Sequence, residues 1–353
     1  MARSVAPLHT RSEVKKAGRA IRAGSARLHD HQIIENFRAS HVHVLNGFQA
    51  SLRNRARSKD ITVAQRLKRR VTIYDKLTRR PNFSLTEMQD IAGCRLIFKN
   101  TQELQDFRSS YHRANFSHKL LSENDRYNYI ISPKPDGYRG IHDVYEYCGR
   151  SSSSKPWDGL RIELQYRTIY QHAWATAVEV AGLLTGNEHK FGRAAQAYSE
   201  FFCLTSELIA RSFEASTSCR PDLTISEIAK SILEIDQEIK ILNLFEQYNS
   251  VALNVTAIHK NAILIFNKRP EKYQERTKIL RFSSFSDAVR KLEKIEQANV
   301  RDGDPYDVVL VRSVEGPKSG SIQSAFRNYF ADTRDFVSYV QQGLNLAPNS
   351  HRG

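Results

Sequence analysis

The stretch Arg161-Ile-Glu-Leu-Gln-Tyr-Arg-Thr168 alternates polar and apolar residues without a break, a pattern that suits a β-strand and no helix. At the two-residue period of a strand, Ile162, Leu164 and Tyr166 share one face, and Arg161, Glu163, Gln165 and Arg167 share the other. A polar face built from two arginines, a carboxylate and an amide has two readings. It is a solvated strand laced with surface ion pairs, or the floor of a site where the carboxylate holds a hard cation and the guanidinium forks take phosphate oxygens.

Two further segments favour the site. Residues 90–98, Asp-Ile-Ala-Gly-Cys-Arg-Leu-Ile-Phe, read as a buried strand that opens on a carboxylate and points Arg95 away from Ala92, Cys94, Leu96 and Phe98. Residues 133–142, Pro-Lys-Pro-Asp-Gly-Tyr-Arg-Gly-Ile-His, form a turn-rich loop displaying Lys134, Tyr138, Arg139 and His142 before the apolar-flecked run 141–147. An aromatic ring beside three potential cations offers a purine nucleotide a stacking face and donors for its phosphates.

Asp90-Ile-Ala-Gly-x-Arg95, Pro133-Lys-Pro-x-Gly-Tyr-Arg-x-x-His142, Glu163-x-Gln-x-Arg-Thr168 and His172-Ala-Trp-Ala175 follow in the order and spacing of the synthetase domain of the RelA/SpoT family, which this chain resembles over roughly residues 30–185. Arg66-x-Lys68 and Thr72-Ile-x-x-Lys76-Leu belong to the same likeness. The resemblance implies an α/β (α+β) fold, a mixed sheet flanked by helices and related to nucleotidyltransferases. It also implies transfer of the β,γ-pyrophosphate of ATP to the 3′-hydroxyl of a guanine nucleotide, GDP or GTP. Carried over residue by residue, it implies that Asp90 and Glu163 hold Mg2+, with Glu163 also helping to deprotonate the attacking hydroxyl. Arg66, Lys68, Lys76 and Arg95 would surround ATP. Tyr138 would stack on the acceptor base, Lys134, Arg139 and His142 would meet acceptor phosphates, and Gln165 with Arg167 would line the space between the nucleotides. Such a transfer asks a protein mainly for positioning, a metal and positive charge around the phosphoryl oxygens, and needs no covalent nucleophile.

The chain also departs from the family pattern. Asp136 stands where members often carry Asn, and Gly140-Ile-His142 replaces Ser-Leu-His. An added carboxylate beside a phosphorylated acceptor is unfavourable unless it points away. One branch of the family comprises toxins that place the pyrophosphate on the 3′ end of tRNA, which would bring a tRNA acceptor and a cognate antitoxin as partners. A third reading, a silent RNA-binding relative, is opposed by the presence of both Asp90 and Glu163. The formal net charge of +15 attracts polyanions. Much of it lies in residues 53–80, at Arg53, Arg55, Arg57, Lys59, Arg66, Lys68, Arg69, Arg70, Lys76, Arg79 and Arg80, read as a basic helix face that either is solvated or tracks an RNA backbone.

Across 353 residues, a basic segment 1–28 precedes an expected synthetase domain 29–220 and a C-terminal part, 221–353, made of a helix and a small α/β domain with a regulatory or acceptor-recognising role. Ile34, Phe37, Val44, Leu45, Phe48 and Leu52 suggest helices ahead of the sheet; residues 151–156 read as a loop between strands, and 172–184 as a helix whose Trp174 packs. After Pro221 a capping box, Thr224 to Glu227, launches a helix with Ile225, Ile228, Ile232, Ile235, Ile239 and Leu242 in heptad-like spacing, serving packing within the monomer or a homo-oligomer. Residues 251–266 read as a hairpin turning near Lys260-Asn261, 285–295 as an amphipathic helix, and 306–311 as a buried strand after the Asp302-Gly303 turn, with helices from Ser321 onward. Lys260, Lys268 and Arg269 read as surface residues.

The four cysteines, Cys94, Cys148, Cys203 and Cys219, lack Cys-x-x-Cys spacing, so reduced thiols are expected, without zinc or a disulfide framework. With no signal-peptide core and no run approaching a membrane span, a cytoplasmic protein without membrane contact is the expectation. His29-Asp30 is the one His-Asp pair upstream of the motifs, and the chain ahead of them is too short for the family's helical hydrolase unit, so product hydrolysis is not expected.

Overall fold

Capping and burial place the first helices. Thr10 and Glu13 form a capping box that starts α1 (Arg11–Arg22), worth about 1 kcal/mol. Helix α2 (Leu28–Ala56) is one long helix that buries Ile33, Ile34, Phe37, Val44, Leu45, Phe48 and Leu52, each contributing roughly 1.5–3 kcal/mol. The computed structural model describes residues 5–122, 125–184, 193–251, 261–267, 277–301, 306–313 and 333–347.

Next come β1 (Thr62–Leu67), α3 (Arg70–Arg79), β2 (Ala92–Phe98), α4 (Thr101–His112), β3 (Lys119–Leu120), β4 (Ile141–Glu146), β5 (Arg161–Thr168), α5 (Ile169–Leu184), α6 (Arg193–Glu214) and α7 (Ile225–Ile239). The described chain continues through α8 (Ile241–Val251), β6 (Asn261–Asn267), β7 (Thr277–Phe282), α9 (Phe285–Arg301), β8 (Tyr306–Ser313) and α10 (Arg334–Leu346). Among the described residues the strands form one mixed sheet in the order β3-β4-β5-β2-β1-β8-β6-β7. The pair β2–β5 is parallel and sets Gly93 against Glu163 and Arg95 against Gln165, while β1–β2 and β4–β5 are antiparallel. Helices flank this sheet, as expected for the fold class.

The alternation in β5 is realised. Ile162, Leu164 and Tyr166 are fully buried in a core shared with α1, α2, α4 and the other central strands, and Glu163 and Gln165 lie half-buried on the opposite face. A second core joins α5, α6, α7, α8 and α10, and a smaller one sits between β6, β8 and α9. Strand β8 pairs with β1, so the C-terminal strands continue the sheet that carries the motifs.

Several expectations change. Of the run read as a hairpin, Val251 closes α8, residues 252–260 fall outside the described residues, and Asn261–Asn267 form β6, which pairs with β7 on one side and β8 on the other. The heptad-like seam breaks at Lys240, in the left-handed conformation at φ 51°, so Leu242 belongs to α8, while Ile228 and Ile232 are fully buried within the monomer. The basic run 53–80 is no single helix face: it ends α2, passes through β1 and enters α3. Arg55 and Lys59 then lie over Tyr111 and Phe107, far along β1 from Lys68 and Lys76. Cys203 and Cys219 form a disulfide across 16 residues, contrary to the reduced thiols expected; the fold brings α6 and the segment after it together, which no sequence spacing signals. Cys94 and Cys148 are free. Lys260, Lys268, Arg269, the Asp302-Gly303 turn and residues 321–332 lie outside the described residues. No helix among those described is long and apolar enough to cross a membrane.

Candidate active site

Strands β1, β2 and β5 floor a cleft with about 600 Å³ of empty space, lined by Ala64, Arg66, Lys68, Asp90, Gly93, Cys94, Arg95, Glu163 and Gln165. The period of two puts Ala64, Arg66 and Lys68 on the same side of β1. Past the strand end the Lys68 N–H still donates to the Ile91 carbonyl at 2.7 Å, and the buried Arg38 of α2 donates through Nε to the Lys68 carbonyl at 2.7 Å. The lysine is thereby held across from Asp90.

Asp90 receives two ammonium groups, Lys68 Nζ on Oδ2 at 2.8 Å and Lys76 Nζ, from α3, on Oδ1 at 2.9 Å. Burial alone would raise the Asp90 carboxyl, but the two lysines outweigh it and hold it at about 2. Burial lowers Lys68, partly offset by Asp90.

Glu163 has a different environment. Its Oε1 meets His142 Nδ1 at 2.9 Å, and its Oε2 accepts from Gln165 Nε2 at 2.6 Å. On the far side of the imidazole, His142 Nε2 is 2.5 Å from the Tyr138 hydroxyl, which accepts from Arg167 Nη2 at 3.1 Å. Burial disfavours the charged imidazole, yet Tyr138 and Glu163 raise His142 to about 9, so near neutrality both ring nitrogens donate. Burial would raise Tyr138, but Arg167 and His142 bring it down to about 8. Glu163 itself is lowered: burial opposes ionisation and His142 overcomes it.

The loop 133–142 leads into this chain of contacts. Its turn closes through Lys134 N–H to the Tyr138 carbonyl at 3.1 Å and Gly137 N–H to the Lys134 carbonyl at 2.9 Å. Gly137, at φ +90°, is required: a Cβ there would stand 3.0 Å from Ser206 Cβ and 3.1 Å from the Trp174 ring. Trp174 packs, donating Nε1 to the Phe202 carbonyl at 2.8 Å. Asp136 points into its own loop, where Oδ1 accepts the Tyr138 N–H at 2.9 Å. An Asn side chain can make the same bond.

Of the sequence-predicted residues, Arg66, Lys68, Asp90, Arg95, Glu163 and Gln165 share the cleft, Lys76 joins it through Asp90, and His142, Tyr138 and Arg167 join it through Glu163. Lys134 lies over the Tyr138 ring. Arg139 is placed elsewhere: it is 3% exposed and ion-paired with Glu214 at the end of α6, whose other oxygen accepts from Thr168 at 2.6 Å and Gln171 at 3.0 Å. The buried carboxylate of Glu214 accounts for the displacement, since it holds the guanidinium away from the cleft. Sequence reasoning missed Glu214 and also Tyr129, whose ring meets Tyr138 and His142 edge to face; neither lies in a recognisable motif.

The donor set suits a hard cation. Asp90 and Glu163 supply carboxylate oxygens to one cleft, and among the described residues no cluster of three or more metal-ligating side chains forms a closed protein cage. Mg2+ is held in this way, by one or two carboxylates with substrate phosphates and water completing its shell.

Residues 65–182 match the region found in RelA / SpoT proteins, so this part of the chain is a RelA/SpoT synthetase region. Solved structures similar to the chain include small alarmone synthetase 1 from Bacillus subtilis bound to its product pppGpp, at 21% identity and TM-score 0.41, covering 50% of this chain and 90% of that one. A GTP pyrophosphokinase family protein from Streptococcus pneumoniae is 21% identical with TM-score 0.41, covering 52% and 91%. Small alarmone synthetase 2 from B. subtilis is 19% identical with TM-score 0.38, covering 49% and 89%. No curated protein matches the chain significantly.

Proposed function

We propose that this chain, which carries a RelA/SpoT synthetase region over residues 65–182, is a pyrophosphokinase that moves the β,γ-pyrophosphate of ATP onto the 3′-hydroxyl of GDP or GTP, yielding guanosine alarmones (ppGpp or pppGpp) and AMP. One observation carries the reading: two carboxylates of a single cleft are held differently, Asp90 by two lysines and Glu163 by an imidazole that leads to the acceptor loop. In this proposal Arg66, Lys68, Lys76 and Arg95 bind the polyphosphate of ATP. The acceptor lies against Tyr138, with Lys134 and His142 near its phosphates and Gln165 and Arg167 between the two nucleotides. Glu163 accepts the proton of the 3′-hydroxyl as its oxygen attacks the β-phosphorus; the bond from that phosphorus to the oxygen bridging the α-phosphate breaks, and AMP leaves. Mg2+ bound by Asp90 and Glu163 would neutralise charge on the phosphoryl oxygens. Arg139, paired with Glu214, positions the loop. Helix α10 packs against the core of α5 and α6, beneath the acceptor loop, which supports a part for residues 221–353 in acceptor recognition.

A second reading, transfer to the 3′ end of tRNA, is favoured by Tyr127 and Tyr129, which continue the aromatic surface beyond Tyr138, with Arg126 over the Tyr127 ring. The test offers γ-labelled ATP and Mg2+ to the purified protein with GDP, GTP and deacylated tRNA in parallel. Label in a guanosine product with release of AMP supports the first reading, label on tRNA replaces it by the second, and label on neither overturns both.

A further inference from the structure

The corner formed by the Tyr129 and Tyr138 rings is covered by a side chain of the same loop. Lys134 Nζ stands 4.5 Å from the centroid of the Tyr129 ring and 4.9 Å from that of Tyr138. The two rings meet edge to face, 5.7 Å apart at 70°, and Tyr129 also meets His142 at 5.5 Å and 90°. All three loop side chains, Tyr129, Lys134 and Tyr138, are half-buried. The backbone around them is tied down: Tyr129 N–H donates to the Gly140 carbonyl at 2.9 Å, and Lys134 N–H to the Tyr138 carbonyl at 3.1 Å. From this fixed backbone the four-carbon stem of the lysine carries the ammonium onto the rings. The Tyr138 hydroxyl contacts His142, and His142 contacts Glu163, so a base lying on these rings is delivered beside the carboxylate.

A cation on an aromatic face is held by the ring quadrupole, and a neutral base that takes its place gives it nothing in return. A phosphate does: the ammonium leaves the rings for a shorter, charge-assisted bond to oxygen. We propose that Lys134 is a phosphate-operated latch on an acceptor-base site walled by Tyr129 and Tyr138, and that this latch selects nucleotides over unphosphorylated nucleosides as acceptors. The proposal rests on the pyrophosphokinase reading for its chemistry, but its binding signature stands apart from turnover.

The test uses the full chain and its Lys134→Met variant, which keeps the length of the side chain and removes its charge. Binding and label transfer are measured with GDP and guanosine, and with AMP and adenosine. The latch requires that Lys134→Met weaken the nucleotide at least tenfold while tightening the matching nucleoside at least threefold, with the KM for ATP within twofold of the parent. A lysine that merely contacts phosphate would weaken the nucleotide and leave the nucleoside unchanged; that result, or a nucleoside bound more weakly, overturns the latch. Absence of transfer by the unaltered protein to any nucleotide or to tRNA would instead overturn the pyrophosphokinase reading, and the nucleoside affinities would still decide the latch.

Discussion

Strand β4 presents neighbouring residues, His142 and Asp143, to opposite faces of the sheet, and the two faces use charge in opposite ways. Behind the sheet, the fully buried Asp143 receives Arg108 Nη2 at 2.8 Å and His112 Nε2 at 2.6 Å, while Arg108 Nη1 reaches Asp125 at 2.6 Å. One guanidinium joins two carboxylates, and an imidazole closes the cluster. In front, Arg66, Lys68, Arg95 and Lys76 gather around Asp90 and Glu163, with Arg167 and His142 close behind. Positive charge gathered at one cleft suits a polyphosphate. The charges at the back are buried against one another and hold the chain in place, whereas those in front line an open cleft.

The sharpest way to break this contrast is to alter one charged side chain on each face. Glu163→Gln keeps size and hydrogen bonding and removes the charge, so label transfer should fall roughly 10²- to 10⁴-fold with little change in melting temperature. Near-normal turnover would remove Glu163 from the chemistry. Arg108→Met leaves Asp143 buried without its main partner; denaturant unfolding should register a loss of roughly 3–5 kcal/mol, while nucleotide KM values in the folded protein hold. A loss below about 1 kcal/mol would mean that the rear cluster does not anchor β4 as described.

A smaller effect should appear with pH. The Asp90 carboxyl lies at about 2 in the folded protein and near 3.8 in the unfolded chain, so its pairing contributes stability above the unfolded value and loses it as pH falls through the folded one. The parent should therefore lose about 2 kcal/mol from this source between pH 5 and 2, and Lys68→Met should show a shallower acid slope in chemical unfolding. Equal slopes would show that the lysine does not set the carboxyl. Smallest of all, Asp136→Asn should preserve the bond to the Tyr138 N–H, leaving stability within about 0.5 kcal/mol and acceptor KM within about threefold. A larger change in KM would place the Asp136 charge against the acceptor after all.

Much of the front face was legible from local pattern. The period of β5 placed Glu163, Gln165 and Arg167 together, and the turn chemistry of Pro135, Asp136 and Gly137 marked the loop that carries Lys134 and Tyr138. The rear cluster was not legible, because Arg108 and Asp143 are 35 residues apart and meet only when α4 packs on the sheet. Arg139 shows the limit within a motif: the sequence sets it beside Tyr138, but its direction follows from Glu214, 75 residues away.

The sequence by itself determined the central strands β2 and β5, the loop and the inventory of charges, since each depends on residues a few positions apart: the alternation of β5 and the φ that only Gly137 accepts readily among them. Only the tertiary structure decided how those charges pair. It set two lysines on Asp90 and an imidazole on Glu163, divided the basic run 53–80 between two ends of β1, joined Cys203 to Cys219, and carried β8 to the edge of β1. The reason is that Coulomb energy and packing act through space. Residues far apart along the chain acquire their roles from whichever surfaces the burial of Ile162, Leu164 and Tyr166 brings together.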